Sequence, residues 1–291
     1  MFSGGTMSGS FRGTLQMLSG NVAGDMTALS PTPTLPGGTF DWRGGLIGNA
    51  LLSPTPTTFM IQTDAAMLID ASDQATFSGS FGNTVVTNNG VVQWTGQENT
   101  NIGVGDGGNN TGLIFHNNGT VFLQSDGTLF RHGDNSIMTF NNNASGIFKK
   151  SGGNGSTKLD VFGHDFNNFG TIEINSGVIE GGSVEFEFKN NSRIKSGGGR
   201  LSLNGSGGTS DGVGTVTVEG SGDPDNFALE LGGESNGVTL DGNGLTLLSS
   251  NNGGCVWTGG TIKGNVVLGS GLRTKIRSGG VVSNVTLDGS L

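Results

Sequence analysis

The densest concentration of groups able to do chemistry lies between residues 160 and 195. Asp160 and Asp165 form one acidic pair; Glu173, Glu185 and Glu187, followed by Arg193 and Lys195, form a second set. Carboxylates a few ångströms apart can divide general-acid and general-base work on a glycosidic bond. In 184-VEFEFKN-190 the acids alternate with Val and Phe, which puts Glu185 and Glu187 on the outer side of one strand. A catalytic assignment would rest on Glu185, Glu187, Arg193 and Lys195. The simpler reading is a half-exposed strand whose acids pair across strands with Arg193 or Lys195.

Other candidates are sparser. Asp106 in 103-GVGDGGNN-110, and Asp223 and Asp225 in 221-SGDPDN-226, offer oxygen ligands of the kind calcium takes. Neither stretch matches the calcium-binding nonapeptide repeat or an EF-hand loop, so solvated turns are the default and calcium is the one cofactor left open. His116, His132 and His164 sit in turn-like contexts without metal-ligand spacing. Cys255 is the single cysteine, so no intrachain disulfide can form. Trp42, Trp94 and Trp257 could stack on sugars. Two of them open the same W-x-G-G unit, with Gly44 and Gly45 after Trp42 and Gly259 and Gly260 after Trp257. That shared position favours packing.

The elements that must carry these residues are short and interrupted. The 291 residues include 57 glycines and 17 phenylalanines but no tyrosine. Glycine costs backbone entropy inside strands, so this many must sit mainly where the chain turns or packs closely. Large apolar residues nevertheless return in short runs, which argues against a disordered linker. A collagen triple helix is excluded because glycine has no three-residue period. The pairs Ile172/Ile174, Phe186/Phe188, Leu201/Leu203, Val216/Val218, Leu229/Leu231, Val238/Leu240 and Leu245/Leu247 have a period of two, which reads as strands with one apolar side. Between them lie clusters of Gly, Ser, Asn and Asp, the turn formers. Asn-rich turns precede strands at 88-NNGVVQW-94, 117-NNGTVFLQ-124, 141-NNNASGIF-148 and 167-NNFGTIEI-174. No segment reads as a helix of useful length, since Gly, Asn or Pro interrupts most of the chain, each at a cost.

These features predict an all-β chain, a right-handed parallel β-helix (β-solenoid), in preference to a sandwich or propeller. At about 22 residues per coil the chain would make about 13 coils, a rod on the order of 60 Å long. Asn at successive turns could form amide ladders. One solenoid over residues 1–291 is expected, loop-rich at 1–60, more regular at 171–291, and with open or atypical ends. Five of the six prolines fall in 30-SPTPTLPGG-38 and 53-SPTPTTF-59, which therefore read as loops or edge crossings.

The net charge of -9 is spread widely. Lys149-Lys150 and Arg273/Lys275/Arg277 are too small for a nucleic-acid footprint and read as solvated strand faces, so no nucleic-acid partner is expected. No apolar stretch is long enough to span a membrane as a helix. The start, MFSGGTMSGSFRG, lacks the basic and apolar segments of a signal peptide, which implies a removed signal or a fragment of a longer chain, and the repeat already running at Phe2 favours the fragment.

At 257-WTGGTIKG-264 and 166-FNNFGTIEINSGVIEGG-182 the chain resembles the repeats of secreted or surface bacterial β-helix proteins, the autotransporter passengers and filamentous-haemagglutinin-like adhesins. The resemblance implies an extracellular or cell-surface, stalk-like or adhesive role, and a continuous repeat with no concentrated chemical site reads as a structural or adhesive segment, a stalk or a fibre, without catalytic activity. Its partners would be cell-surface glycans or proteins, or copies of itself joined end to end. The alternatives are a polysaccharide lyase or glycoside hydrolase of β-helix type, and a phage fibre or spike component.

Overall fold

The computed structural model describes residues 2–48, 56–70, 79–81, 83–95, 101–104, 112–132, 137–159, 165–181, 185–203, 209–221, 226–232, 239–276, 281–282 and 285–287. Among them there is no helix, and every pair of strands is parallel. The chain is a parallel β-solenoid, as its glycine-punctuated period-two pattern predicts.

Each coil runs across three faces in a fixed order. The first face stacks Gly38–Trp42, Ala66–Asp70, Val91–Thr95, Thr120–Leu123, Ile147–Lys150, Thr171–Ile174 and Ser192–Ser196. The second includes Ser156–Leu159, Val178–Gly181, Arg200–Leu203, Leu229–Leu231 and Gly254–Trp257. The third stacks Thr84–Asn88, Gly112–Asn117, Ile137–Asn142, Asp165–Asn168 and Glu185–Phe188, and continues through 211–212 and 241–242 to Thr261–Gly264.

Alternation drives the packing. Every described member of the paired apolar positions is buried, from Ile172 and Ile174 to Leu245 and Leu247. In-register parallel stacking puts like above like: Phe115, Phe140, Phe166 and Phe186 stack with ring centroids 4.9, 4.8 and 4.8 Å apart. That separation matches the strand spacing of about 4.8 Å, so offset stacking follows from the fold at no cost in geometry.

Coil length departs from expectation. Register partners on the first face lie 22 residues apart from Ile172 to Ile194 but 31 apart from Val218 to Ser249. Coils longer than about 22 residues make fewer of them. Strand length departs too, because Phe2–Phe11, Gly13–Ala28, Thr209–Glu219 and Thr239–Ser250 run through corners. In the last two, Gly214 (φ 73°) and Gly244 (φ 80°) turn the corner in the left-handed region, so pairing resumes after a single register shift. The proline segment 29–37 is a loop closed at its base by the Gly38 N–H to Leu29 C=O bond, 2.7 Å.

The W-x-G-G unit makes a corner. Trp42 is fully buried and its Nε1 donates to the Gly44 carbonyl at 3.0 Å, while Gly45 takes φ 94°. Trp257 is buried, its Nε1 donates to the Gly259 carbonyl, and Gly260 takes φ 80°. The first instance leads from the first face to the second and the second from the second face to the third, so one local device serves two corners. Ile47 and Ile262 then re-enter the core. Trp94 is equally buried, but its Nε1 has no hydrogen-bond partner among the described residues.

One sequence reading is corrected. Lys149 lies partly exposed and bridges Glu173 at 2.9 Å, as a strand-face lysine should. Lys150 is wholly buried. Neighbouring residues of a strand point to opposite sides, so two adjacent lysines cannot both face water.

Candidate functional site

The corner where the third face returns to the first is built in two ways. In the coils between residues 88 and 171 it carries a buried asparagine ladder. Asn88 Nδ2 donates to Asn117 Oδ1, Asn117 Nδ2 to Asn142 Oδ1, and Asn142 Nδ2 to Asn168 Oδ1, each at 2.8 Å. All four residues are fully buried. The same amides donate to the carbonyls of Thr120, Ile147 and Thr171 on the next first-face strands. A second, more exposed ladder joins Asn89, Asn118 and Asn143. The amide ladders anticipated from the Asn-rich turns are present.

Beyond Phe188 the buried column changes to Gly212, Gly242 and Gly264. A Cβ at Gly212 would collide with Leu245, and one at Gly242 with Val266, because these core residues fill the space that asparagine occupies above. The chain turns within 211-DGVG-214 and 241-DGNG-244. At this change of corner lies a groove of about 480 Å³ that follows four coils and is lined by Glu187, Lys189, Asp211, Val213, Asp241 and Asn243, among others.

Glu187, Asp211 and Asp241 are successive register partners, and Lys263 follows Asp241. Their α-carbons are therefore about 4.8 Å apart along the rod. The outer two acids are neutralised: Lys189 bonds Glu187, and Lys263 Nζ lies 3.0 Å from Asp241. The central Asp211 is exposed. Desolvation, then the charges of Asp241 and Glu187, push its carboxyl above the usual 3.8 against the opposing pull of Lys189 and Lys263. Asp165, on the same face, is raised by desolvation and by Glu187. The arrangement puts a carboxyl that holds its proton unusually well between two that are each paired with a lysine.

The sequence candidates are thereby divided. Glu185 lies on the third face opposite Asp165, with Glu187 two residues on in the groove. Arg193 and Lys195 lie on the first face, where Lys195 falls between Glu173 and Glu219 in a column that begins with Lys149 and alternates in charge. On the first face cross-strand charge pairing occurs between Lys149 and Glu173, with Lys195 a register neighbour of Glu173 and Glu219, while Glu187 is bonded by Lys189. Asp211 and Asp241 were not singled out from sequence; the signal for them was the repeated T-x-D-G-x-G at 209–214 and 239–244.

Asp106, Asp223 and Asp225, with Asp160 and His164, lie outside the described residues. Among the described residues no group of three His, Cys, Asp or Glu side chains is placed to hold a metal ion. His116 Nδ1 is 3.3 Å from the Asn141 amide in the polar column that leads down to Glu187. Cys255 is buried, and desolvation followed by the Glu230 charge pushes its thiol up to about 12, so it is unreactive. Trp42 and Trp257 are interior and present no surface to a sugar. No described helix is long and apolar enough to cross a membrane.

Comparison with known proteins adds no assignment: no family model, no curated protein and no solved structure matches the chain.

Proposed function

We propose that the chain is a non-catalytic structural segment of an extracellular or cell-surface protein, a stalk or fibre element with an adhesive role toward surface glycans or proteins. The observation that carries this reading is that its side chains are matched to one another from coil to coil. The buried amides, the stacked phenylalanines and the alternating Lys149, Glu173, Lys195 and Glu219 column all repeat along one axis. Such a chain is quasi-one-dimensional, and each coil is held by its neighbours. A phage fibre would use the same construction. The outermost described strands, Phe2–Phe11 and Val285–Leu287, each pair on one side only among the described residues, so further coils or another copy would continue the ladder. Electron microscopy of the purified chain is expected to show rods or filaments, and a screen of acidic and neutral polysaccharides no product. Compact particles, or product release that depends on a groove residue, would overturn the reading.

One observation favours a glycan-cleaving alternative. The ladder puts Asp211 one coil from Glu187 and Asp241, and Glu187 two coils from Asp241. Spacings of about 5 and 10 Å bracket the carboxyl separations of retaining and inverting glycosidases. Asp211 would be the general acid. On any glycan the parent chain degrades, Asp211→Asn is then expected to abolish turnover while Glu219→Gln, on another face, leaves it intact. Unchanged turnover in Asp211→Asn sinks this alternative.

A further inference from the structure

Lys150 occupies an inward position flanked by apolar residues, Leu123 in the preceding coil and Ile174 in the next. Its Nζ is surrounded by acceptors: Asp126 Oδ1 at 2.6 Å, the Gly152 carbonyl at 3.0 Å, Thr157 Oγ1 at 3.0 Å and the Ser125 carbonyl at 3.4 Å. Only one of the four is charged. The lysine side chain is entirely excluded from solvent, while Asp126 keeps 15% of its side-chain surface exposed. Protons therefore reach the carboxylate without any opening of the coil, but the ammonium has no route to water.

The turn after Lys150, 151-SGGNG-155, is folded around that carboxylate. Asp126 Oδ2 accepts the Gly155 N–H at 2.9 Å, and a Cβ at Gly153 (φ 71°) or Gly155 would press into the Asp126 carboxyl group. Gly177 of the next coil gives way to the Lys150 stem in the same manner. The glycines are thus where the approach of an anion, and of the cation it neutralises, requires them. The other charges nearby are directed elsewhere. Lys149 points outward to Glu173, Lys158 is exposed, and Glu180 accepts a bond from Ser156. Lys150 is the charge that acts on Asp126.

We propose that Asp126 and Lys150 form an acid-sensitive latch that fastens the 151–155 turn at the corner between the first and second faces. Protonation of Asp126 strands a buried ammonium with neutral acceptors alone, a state that is costly in a dry interior. The relief is for the turn to lift and admit water to Nζ, while neighbouring coils keep their own ladders. The direction of titration agrees. Partial burial pushes the Asp126 carboxyl up, but the bonds from Lys150 and Gly155 and the Lys150 charge outweigh it, holding it below the usual 3.8. A carboxyl depressed on folding contributes stability that is full above its unfolded value and is lost as pH falls through the folded one. The latch is therefore closed near neutrality and opens only in strong acid, below about pH 4.

Hydrogen exchange on the full chain from pH 7 to pH 2, expressed as protection relative to the intrinsic rate at each pH, tests this. The Gly155 amide is expected to lose at least about tenfold in protection below pH 4, while the strand Thr171–Ile174 retains its own. Asp126→Asn, the neutral counterpart of the protonated carboxyl, should abolish the transition by leaving the latch open, with Gly155 protection equally low at all pH values. Lys150→Met refills the column with an apolar side chain, and it too should exchange without an acid step. Gly155 protection unchanged down to pH 2 in the parent chain, or the same acid step in either variant, would overturn the latch. Should a variant not fold, the parent titration still decides.

Discussion

The corner between the third and first faces is made twice, and the two versions show what a solenoid corner requires. Between residues 88 and 171 the turn is filled by side chains, four buried asparagines that satisfy one another and the backbone of the next coil. Between 211 and 266 it is emptied of them, and Leu245 and Val266 enter the space beneath Gly212 and Gly242. The first version spends hydrogen bonds and the second spends glycine's backbone freedom. The second version borders a groove in which three carboxylates line up.

The comparison can be broken most severely at the ladder. Asn142→Ala removes three inter-coil hydrogen bonds and leaves the Asn117 amide, the Asn168 side-chain carbonyl and the Thr171 carbonyl short of a partner. A loss of about 2–4 kcal/mol in urea unfolding is expected. A loss under 1 kcal/mol would mean that water replaces the ladder. In the glycine corner, Gly242→Ala forces a methyl group against Val266 and is expected to cost about 1–3 kcal/mol by overpacking. Gly244→Ala separates packing from conformation, because a Cβ there meets nothing within 4 Å while φ is 80°. It should cost only about 1 kcal/mol, the strain of placing an ordinary residue in the left-handed region.

The smallest effect belongs to the groove charges. Asp211→Asn removes an exposed carboxylate from between two others and should change stability at pH 7 by at most about 0.5 kcal/mol, on the stabilising side. Its pH dependence has the opposite sign to that of Asp126. A carboxyl raised on folding weakens the protein as pH climbs from 3.8 through the raised value, because the folded state binds the extra proton. Mild acid should therefore relieve Asp211, stronger acid should release the 151–155 turn, and in Asp211→Asn the first feature of melting temperature against pH should shrink to the part due to Asp165 while the second is unchanged.

Much of this was readable before any coordinates. Period-two pairs such as Ile172/Ile174 and Leu245/Leu247 gave the strands, and the Asn-rich turns gave the ladder, because an in-register stack must place successive asparagines over one another. The W-x-G-G corners were readable for a local reason, since the indole reaches a carbonyl only two residues away. Glu187 was found by its alternation with Phe, but its true neighbours were not, because Arg193 and Lys195 are close only along the chain.

The sequence by itself therefore determined which apolar residues lie inside, where most turns fall, and that the strands stack without helices. Burial and turn chemistry act over two to four residues, so they are written locally. The tertiary structure alone decided which side chains share a column. That depends on the residues spent in each coil: 24 from Glu187 to Asp211, 30 from Asp211 to Asp241, and 24 from Asp126 to Lys150. Loop length, which no local pattern encodes, sets both the acidic groove and the buried lysine's counter-ion.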